Sequence, residues 1–272
     1  MKMKEAQVYT SEFFQLIHPV SNLSAMAVIP LVLELYRPGS VVDVGCGLGG
    51  WLVAFQAYGV EDILGIDGDY VNRKMLDIPP EHFKAIDISR PFTLDRTYDL
   101  AVCLEVAEHL APERATGFVE SLSRLAPVIL FSAAIPLQAA NKYENNHFNE
   151  QWPDYWAQKF RAKGFLAIDV IRKKIWSRDD IPAYYRQNIL LLCSEQILAS
   201  NHVLNEAVQA TNQDMLSVVH PQIFLDSINS IKSHLPIERL RSIAGQIPIA
   251  KRAYHRLQKW HSALGDVRST HA

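Results

Sequence analysis

The sequence predicts an α/β protein built on a seven-stranded sheet with helices on both faces. Between residues 40 and 195, short β-branched runs alternate with amphipathic segments of helical length, the signature of repeated strand–helix units. Most of those runs are continuously apolar, as expected of strands covered on both sides. The first of them, VVDVGCGLGGWL at residues 41–52, passes from a buried strand through a glycine-rich turn into a helix.

The 272 residues, 49% apolar and 21% charged, are enough for a full core and exclude collagen-like or mostly disordered material. A formal charge of -2 offers no global attraction to a nucleic-acid backbone. Cys46, Cys103 and Cys193 stand singly inside apolar runs, without a CxxC pair or an even framework, so a reducing, cytoplasmic setting is expected. The first residues are too polar for a signal peptide. The longest apolar stretch, residues 25–33, is interrupted by Pro30, and no membrane span is expected.

In chain order, residues 1–39 read as one or two helices that lid the site and stop at Pro38-Gly39. Strands are expected at residues 40–45, 62–67, 82–87, 98–104, 127–134, 165–176 and 188–195, the last two paired like a hairpin across the 177–186 loop. Helices are expected at 51–58, 112–125 (Pro112 suits a first turn) and 151–163. From residue 196 only helical periodicity remains. The expected regions are therefore an N-terminal helical lid (1–39), a ligand-binding domain (40–195) and a helical extension (196–272).

Gly45, Gly47 and Gly49 let the backbone turn tightly and approach a ligand where a Cβ would obstruct it, which implies a nucleotide-like ligand. Gly45, Gly47 and Gly50 also satisfy GxGxxG, and Asp67 follows Gly47 by twenty residues, so spacing alone leaves a dinucleotide site open. Over residues 20–195 the wider pattern resembles the class I S-adenosylmethionine-dependent methyltransferases, which are Rossmann-like. That resemblance implies that Asp43 places the methionine amino group of the cofactor, Asp67 holds both ribose hydroxyls and Asp87 accepts from the adenine amino group. Cys46, Gly68 and Leu104 would line the same cofactor site. Carboxylates closing three successive strands suit a ligand with a sulfonium, an ammonium and donor hydroxyls, and suit pyrophosphate poorly. Asp69 is an alternative to Asp67 as the ribose ligand.

After the fourth expected strand comes LEVAEHL, residues 104–110. One helical turn there would put Glu105, Glu108 and His109 at i, i+3 and i+4, on one face. Without a metal, His109 would be a general base or would orient substrate, with the glutamates bonded to the turn. The segment also resembles two metal-using branches, the small-RNA 3′-terminal 2′-O-methyltransferases and the ubiquinone-pathway O-methyltransferases, which carry Glu-x-x-Glu-His here and a further His downstream. The resemblance implies Glu105, Glu108, His109 and His147 as ligands of Mg²⁺, Mn²⁺ or Zn²⁺, with positions left for neighbouring substrate oxygens. The loop around His147 is rich in amides and aromatics, and Tyr143, Asn146 and Trp152 are the expected substrate contacts. NHFNEQWPDYW, with YRQN at 185–188, is similar to methyltransferases of bacterial surface-glycan and natural-product pathways.

Between Lys232 and Arg268, eight basic residues face two acidic ones, a net +6, so the extension suits packing on the core or a second subunit, or weak contact with an anionic membrane surface. The expected activity is methyl transfer from S-adenosylmethionine to a hydroxyl of a sugar-like or diol-bearing small molecule or glycan, with or without a metal. N-methylation of a small molecule, RNA 2′-O-methylation, a nicotinamide-dependent reductase and an inactive binding module are the alternatives. Nucleic acid is not the expected partner, and a homodimer is compatible with the sequence.

Overall fold

The computed structural model describes residues 11–138 and 146–234, with side chains from residue 19 to residue 231. The chain divides into two compact units, 1–224 and 225–272. Tyr143, an expected substrate contact, and the basic segment beyond residue 234 lie outside the described residues.

Helix α1 (Ser11–Leu35) precedes strand β1 (Ser40–Val44) and helix α2 (Gly50–Ala57). Then come β2 (Asp62–Asp67), β3 (Phe83–Ala85) and β4 (Leu100–Leu104). Helix α3 (Ala115–Leu125) leads to β5 (Val128–Ser132), and α4 (Pro153–Arg161) leads to β6 (Phe165–Ile168). Two short helices, α5 (Ile171–Ile175) and α6 (Ala183–Asn188), precede β7 (Leu190–Ser194). Helices α7 (Glu195–Ser200), α8 (His202–Gln209) and α9 (Pro221–His234) follow. Helices α7 and α8 belong to the same compact unit as the sheet. No helix among the described residues is long and apolar enough to cross a membrane.

The seven strands form one sheet in the order β3-β2-β1-β4-β5-β7-β6, with β7 antiparallel to both of its neighbours. The order reverses direction between β1 and β4, which opens a crevice at the carboxyl ends of those strands. Each face carries its own core. On one side Ala25, Val28, Ile29 and Val32 of α1, spaced by three and four, pack with Leu52 and Phe55 of α2. On the other, Phe118 and Leu122 of α3 pack with Trp156 and Phe160 of α4. Pro153 opens α4, where its missing N–H costs no helical hydrogen bond.

One expected strand needs correction. The run 165–176 continues as strand only to Ile168 and then turns into α5. The reason is Arg172, which is 1% exposed and needs every donor satisfied. Its guanidinium makes two 2.7 Å bonds to Asp169 and donates to the carbonyls of Gln187 (3.1 Å) and Leu216 (2.8 Å). A helical turn brings residues three apart onto one side, and an extended strand would hold them on opposite faces. Likewise the 177–186 connection is not all loop, because α6 occupies its second half and runs on to Asn188.

Removing Arg172 would leave the buried Asp169 carboxylate unpaired and orphan two carbonyls. Arg172→Met is expected to cost about 3–5 kcal/mol and to lower the midpoint of thermal unfolding by about 10 °C for a unit of this size. Circular dichroism melts of the two proteins check this.

Candidate active site

The site is built from the carboxyl ends of β1, β2, β4 and β5 and from the loop 146–151. After β1, Gly45, Gly47 and Gly49 have φ of 80°, 54° and 92°, the left-handed region that glycine enters without strain. A Cβ on Gly45 would sit 2.4 Å from Val106 Cγ2, so this position also needs hydrogen for packing. The amides of Gly45 and Cys46 donate to the Ile66 carbonyl at 2.8 and 3.2 Å. Asp67, at the end of β2, accepts from the Gly47 N–H (2.8 Å), the Gly68 N–H (2.6 Å) and the Tyr70 hydroxyl (2.6 Å). The glycine turn and the β2 carboxylate are thus one hydrogen-bonded piece.

Asp43 lies inside β1 and is 3% exposed. Burial first, and the nearby Asp67 charge second, push its carboxyl up to about 8. Burial also raises Asp67, against the three hydrogen bonds it accepts. The buried Cys46 thiol is pushed well above its ordinary value by burial and by both aspartates, which makes it inert as a nucleophile. Asp87 differs from these. It is exposed beyond β3 and turned onto its own neighbours, accepting from the Ser89 N–H (3.1 Å) and the Ser89 hydroxyl, with Arg90 at 3.6 Å. Leu104, half-buried, closes β4.

The Glu-x-x-Glu-His segment departs from the expected single helical face. Only Ala107–His109 form a short 3-10 turn, and Glu105 precedes it with φ of 55°, a left-handed conformation costly for a non-glycine residue. The Glu105 amide donates to Ser132, to its carbonyl at 3.0 Å and its hydroxyl at 3.1 Å. The Glu105 carboxylate accepts from Gln138 Nε2 at 2.8 Å and Asn188 Nδ2 at 3.1 Å.

Glu108, His109 and His147 come together. One ligand atom of each lies within 4.8 Å of the others. Glu108 is fully buried, and among the described residues neither of its carboxylate oxygens has a hydrogen-bond partner of good geometry. Burial first, then the Glu105 charge, raise its carboxyl well above the usual range, against the nearby amides of Glu108 and Ala134. The His109 and His147 rings meet edge to face at 4.7 Å between centroids. Each ring is oriented through Nδ1. That of His109 donates to the Asn146 carbonyl at 3.2 Å, and that of His147 lies 2.9 Å from Glu150 Oε1. Burial holds His109 down at about 4, so it is a neutral imidazole at pH 7. The loop is pinned by the amides of Phe148 and Asn149, which donate to the Glu108 carbonyl at 2.8 and 3.0 Å.

Of the expected substrate contacts, Asn146 meets the site through its backbone carbonyl, and Trp152 caps α4 with 40% of its surface exposed. Gln138, Asn188 and Glu150 were not singled out as site residues. The i, i+3 spacing of His147 and Glu150 was a usable signal for the last, and Gln138 carried none.

A family model described as a methyltransferase domain matches residues 20–169. No curated protein matches the chain. Among solved structures, the chain is similar to a putative O-methyltransferase from Nostoc punctiforme, 12% identical with a TM-score of 0.50 over 67% of this chain and 59% of that one. It is similar also to the plantazolicin methyltransferase BpumL with bound S-adenosylhomocysteine, 15% identical with a TM-score of 0.50 over 69% and 89%. The methyltransferase domain of bacterial CtHen1 is 20% identical, with a TM-score of 0.46 over 64% and 98%.

A carboxyl raised on folding weakens the folded state as pH climbs from its unfolded value of 3.8 through its folded value of about 8, because only the unfolded chain can release that proton easily. In ligand-free protein Asp43→Asn is expected to be stabilising above pH 8, by on the order of 5 kcal/mol at most, and to converge on the wild type near pH 4. Melts of both proteins between pH 4 and 9 check the crossing.

Proposed function

Because the chain belongs to the class I S-adenosylmethionine-dependent methyltransferases, we propose that it methylates a hydroxyl of a sugar-like or diol-bearing small molecule or glycan, assisted by a divalent cation. The observation that carries the proposal is Glu108. A fully buried carboxylate does not stay ionised cheaply: it keeps its proton or is neutralised by a cation, and the two imidazoles beside it would complete a cation site. In support, both rings bond a protein oxygen through Nδ1, the outer-shell arrangement typical of metal-bound histidine. Glu108, His109 and His147 would hold the ion.

S-adenosylmethionine supplies an electrophilic methyl group, and a divalent ion supplies a contact that lowers the pKa of a substrate hydroxyl. The chain does the placing. Asp43 and Asp67, with the Gly45–Gly49 turn between them, would seat the cofactor. Asp43 fits the methionine end because a cation beside it reverses the burial that raises its pKa. Asp87 would reach adenine only after leaving Ser89. His109, with a pKa of about 4, is a weak base, which favours its use as a ligand over its use as a proton acceptor. Glu150 keeps the His147 ring in place.

The N-methyltransferase reading needs no ion and is separated by the same experiment. Calorimetric titration of the S-adenosylhomocysteine complex with Mn²⁺, Mg²⁺ and Zn²⁺ is expected to show one bound ion. His147→Ala and Glu108→Gln should weaken it by about tenfold or more, the usual scale for a lost ligand or its support. Absence of binding, with activity that persists in chelator, would sink the cation and reopen the amine reading.

A further inference from the structure

The Asp67 carboxylate, at the end of β2, is already nearly full. Its Oδ2 accepts the Gly47 N–H at 2.8 Å, and its Oδ1 accepts both the Gly68 N–H and the Tyr70 hydroxyl at 2.6 Å. A carboxylate has about four lone-pair sites, so these donors leave room for about one more. The three are not equally fixed. Gly47 belongs to the turn whose Gly45 and Cys46 amides are bonded to Ile66, and Gly68 is the residue next to Asp67. Neither amide can leave without moving the chain. The tyrosine hydroxyl can leave by rotation about side-chain bonds.

The Tyr70 ring lies over the end of β2. A Cβ on Gly68 would overlap the ring, so it is folded back on the backbone that follows the strand, and glycine there makes the room. Its body packs against Leu48 and Val71, an apolar cluster separate from the two cores that cover the sheet, and Leu48 belongs to the glycine turn. Asp67 is 4% exposed, whereas Gly68 and Tyr70 are half-buried. Tyr70 thus forms part of the cover between the carboxylate and solvent.

The phenol shows which chemistry this carboxylate accepts, an O–H donor carried on a flat apolar body. A ribose presents two neighbouring hydroxyls and needs two acceptor sites where about one is open. We propose that in ligand-free protein the Tyr70 hydroxyl holds the place of a ribose hydroxyl on Asp67, and that the vicinal diol of the cofactor takes that place and turns Tyr70 away. This rests on the reading above that Asp67 seats the cofactor. Tyr70 is then a competitor built into the site, and each binding event exchanges one hydroxyl for another.

The test is calorimetric binding of S-adenosylhomocysteine and of its 2′,3′-dideoxy analogue to the full chain, in the wild type and in Tyr70→Phe, which keeps the ring and removes the hydroxyl. Tyr70→Phe should bind S-adenosylhomocysteine about tenfold more tightly, the scale of one hydrogen bond to a charged group that no longer has to be broken. The dideoxy analogue, which claims no acceptor site on Asp67, should bind both proteins within about twofold, so the preference for the diol rises in the variant. Thermal melts give a second measurement. Ligand-free Tyr70→Phe should melt below the wild type and converge on it in saturating S-adenosylhomocysteine, where neither protein keeps the contact. A diol preference that Tyr70→Phe leaves unchanged or lowers would overturn the exchange, as would equal tightening of both ligands, which would mean that the ring obstructs and the hydroxyl does not compete. If neither protein distinguishes the two ligands, the ribose seat on Asp67 falls, and the exchange falls with it.

Discussion

Four carboxylates, those of Asp43, Asp67, Glu105 and Glu108, gather at the carboxyl edge of one sheet, and among the described residues none is paired with a lysine or arginine. Much of the local structure answers to that uncompensated negative charge. Asp67 is made tolerable by two backbone amides and a tyrosine hydroxyl, and Glu105 by two side-chain amides. Burial drives Asp43 and Glu108 toward the protonated state, in Glu108 against the nearby amides of Glu108 and Ala134.

The rest of the fold keeps that edge in position. Strands β1, β2 and β4 run parallel, so their carboxyl ends share one edge. Antiparallel β7 begins beside the carboxyl end of β5, which sets Asn188, at the end of α6, within reach of Glu105. The buried Arg172 ties β6, α6 and the segment after α8 into one network, since its donors reach Asp169, Gln187 and Leu216. Gln187 sits one residue before Asn188, so this network also sets where α6 ends.

The two halves of the site use different physics. The cofactor half is backbone-defined: left-handed glycines, amides aimed at Ile66, and a strand-end aspartate. The other half is defined by side chains that meet from β4, β5, α6 and a loop, through contacts 27 to 83 residues apart in the chain. Local pattern expresses the first and only packing expresses the second.

The sequence by itself determined the sheet, its glycine turn and the family, because strand and helix periods and the left-handed requirement of Gly45, Gly47 and Gly49 are local constraints. It also singled out Glu108, His109 and His147. Tertiary structure alone decided how Glu105 is held, because its backbone φ of 55° and the amides of Gln138 and Asn188 that it meets have no period or spacing to read. It decided likewise that residues 171–175 are helix, because a buried arginine takes whatever backbone satisfies its donors, and those acceptors lie as far away as Leu216. Nearest-neighbour rules reach a turn of helix or a strand; satisfaction of buried charge is settled by the whole fold.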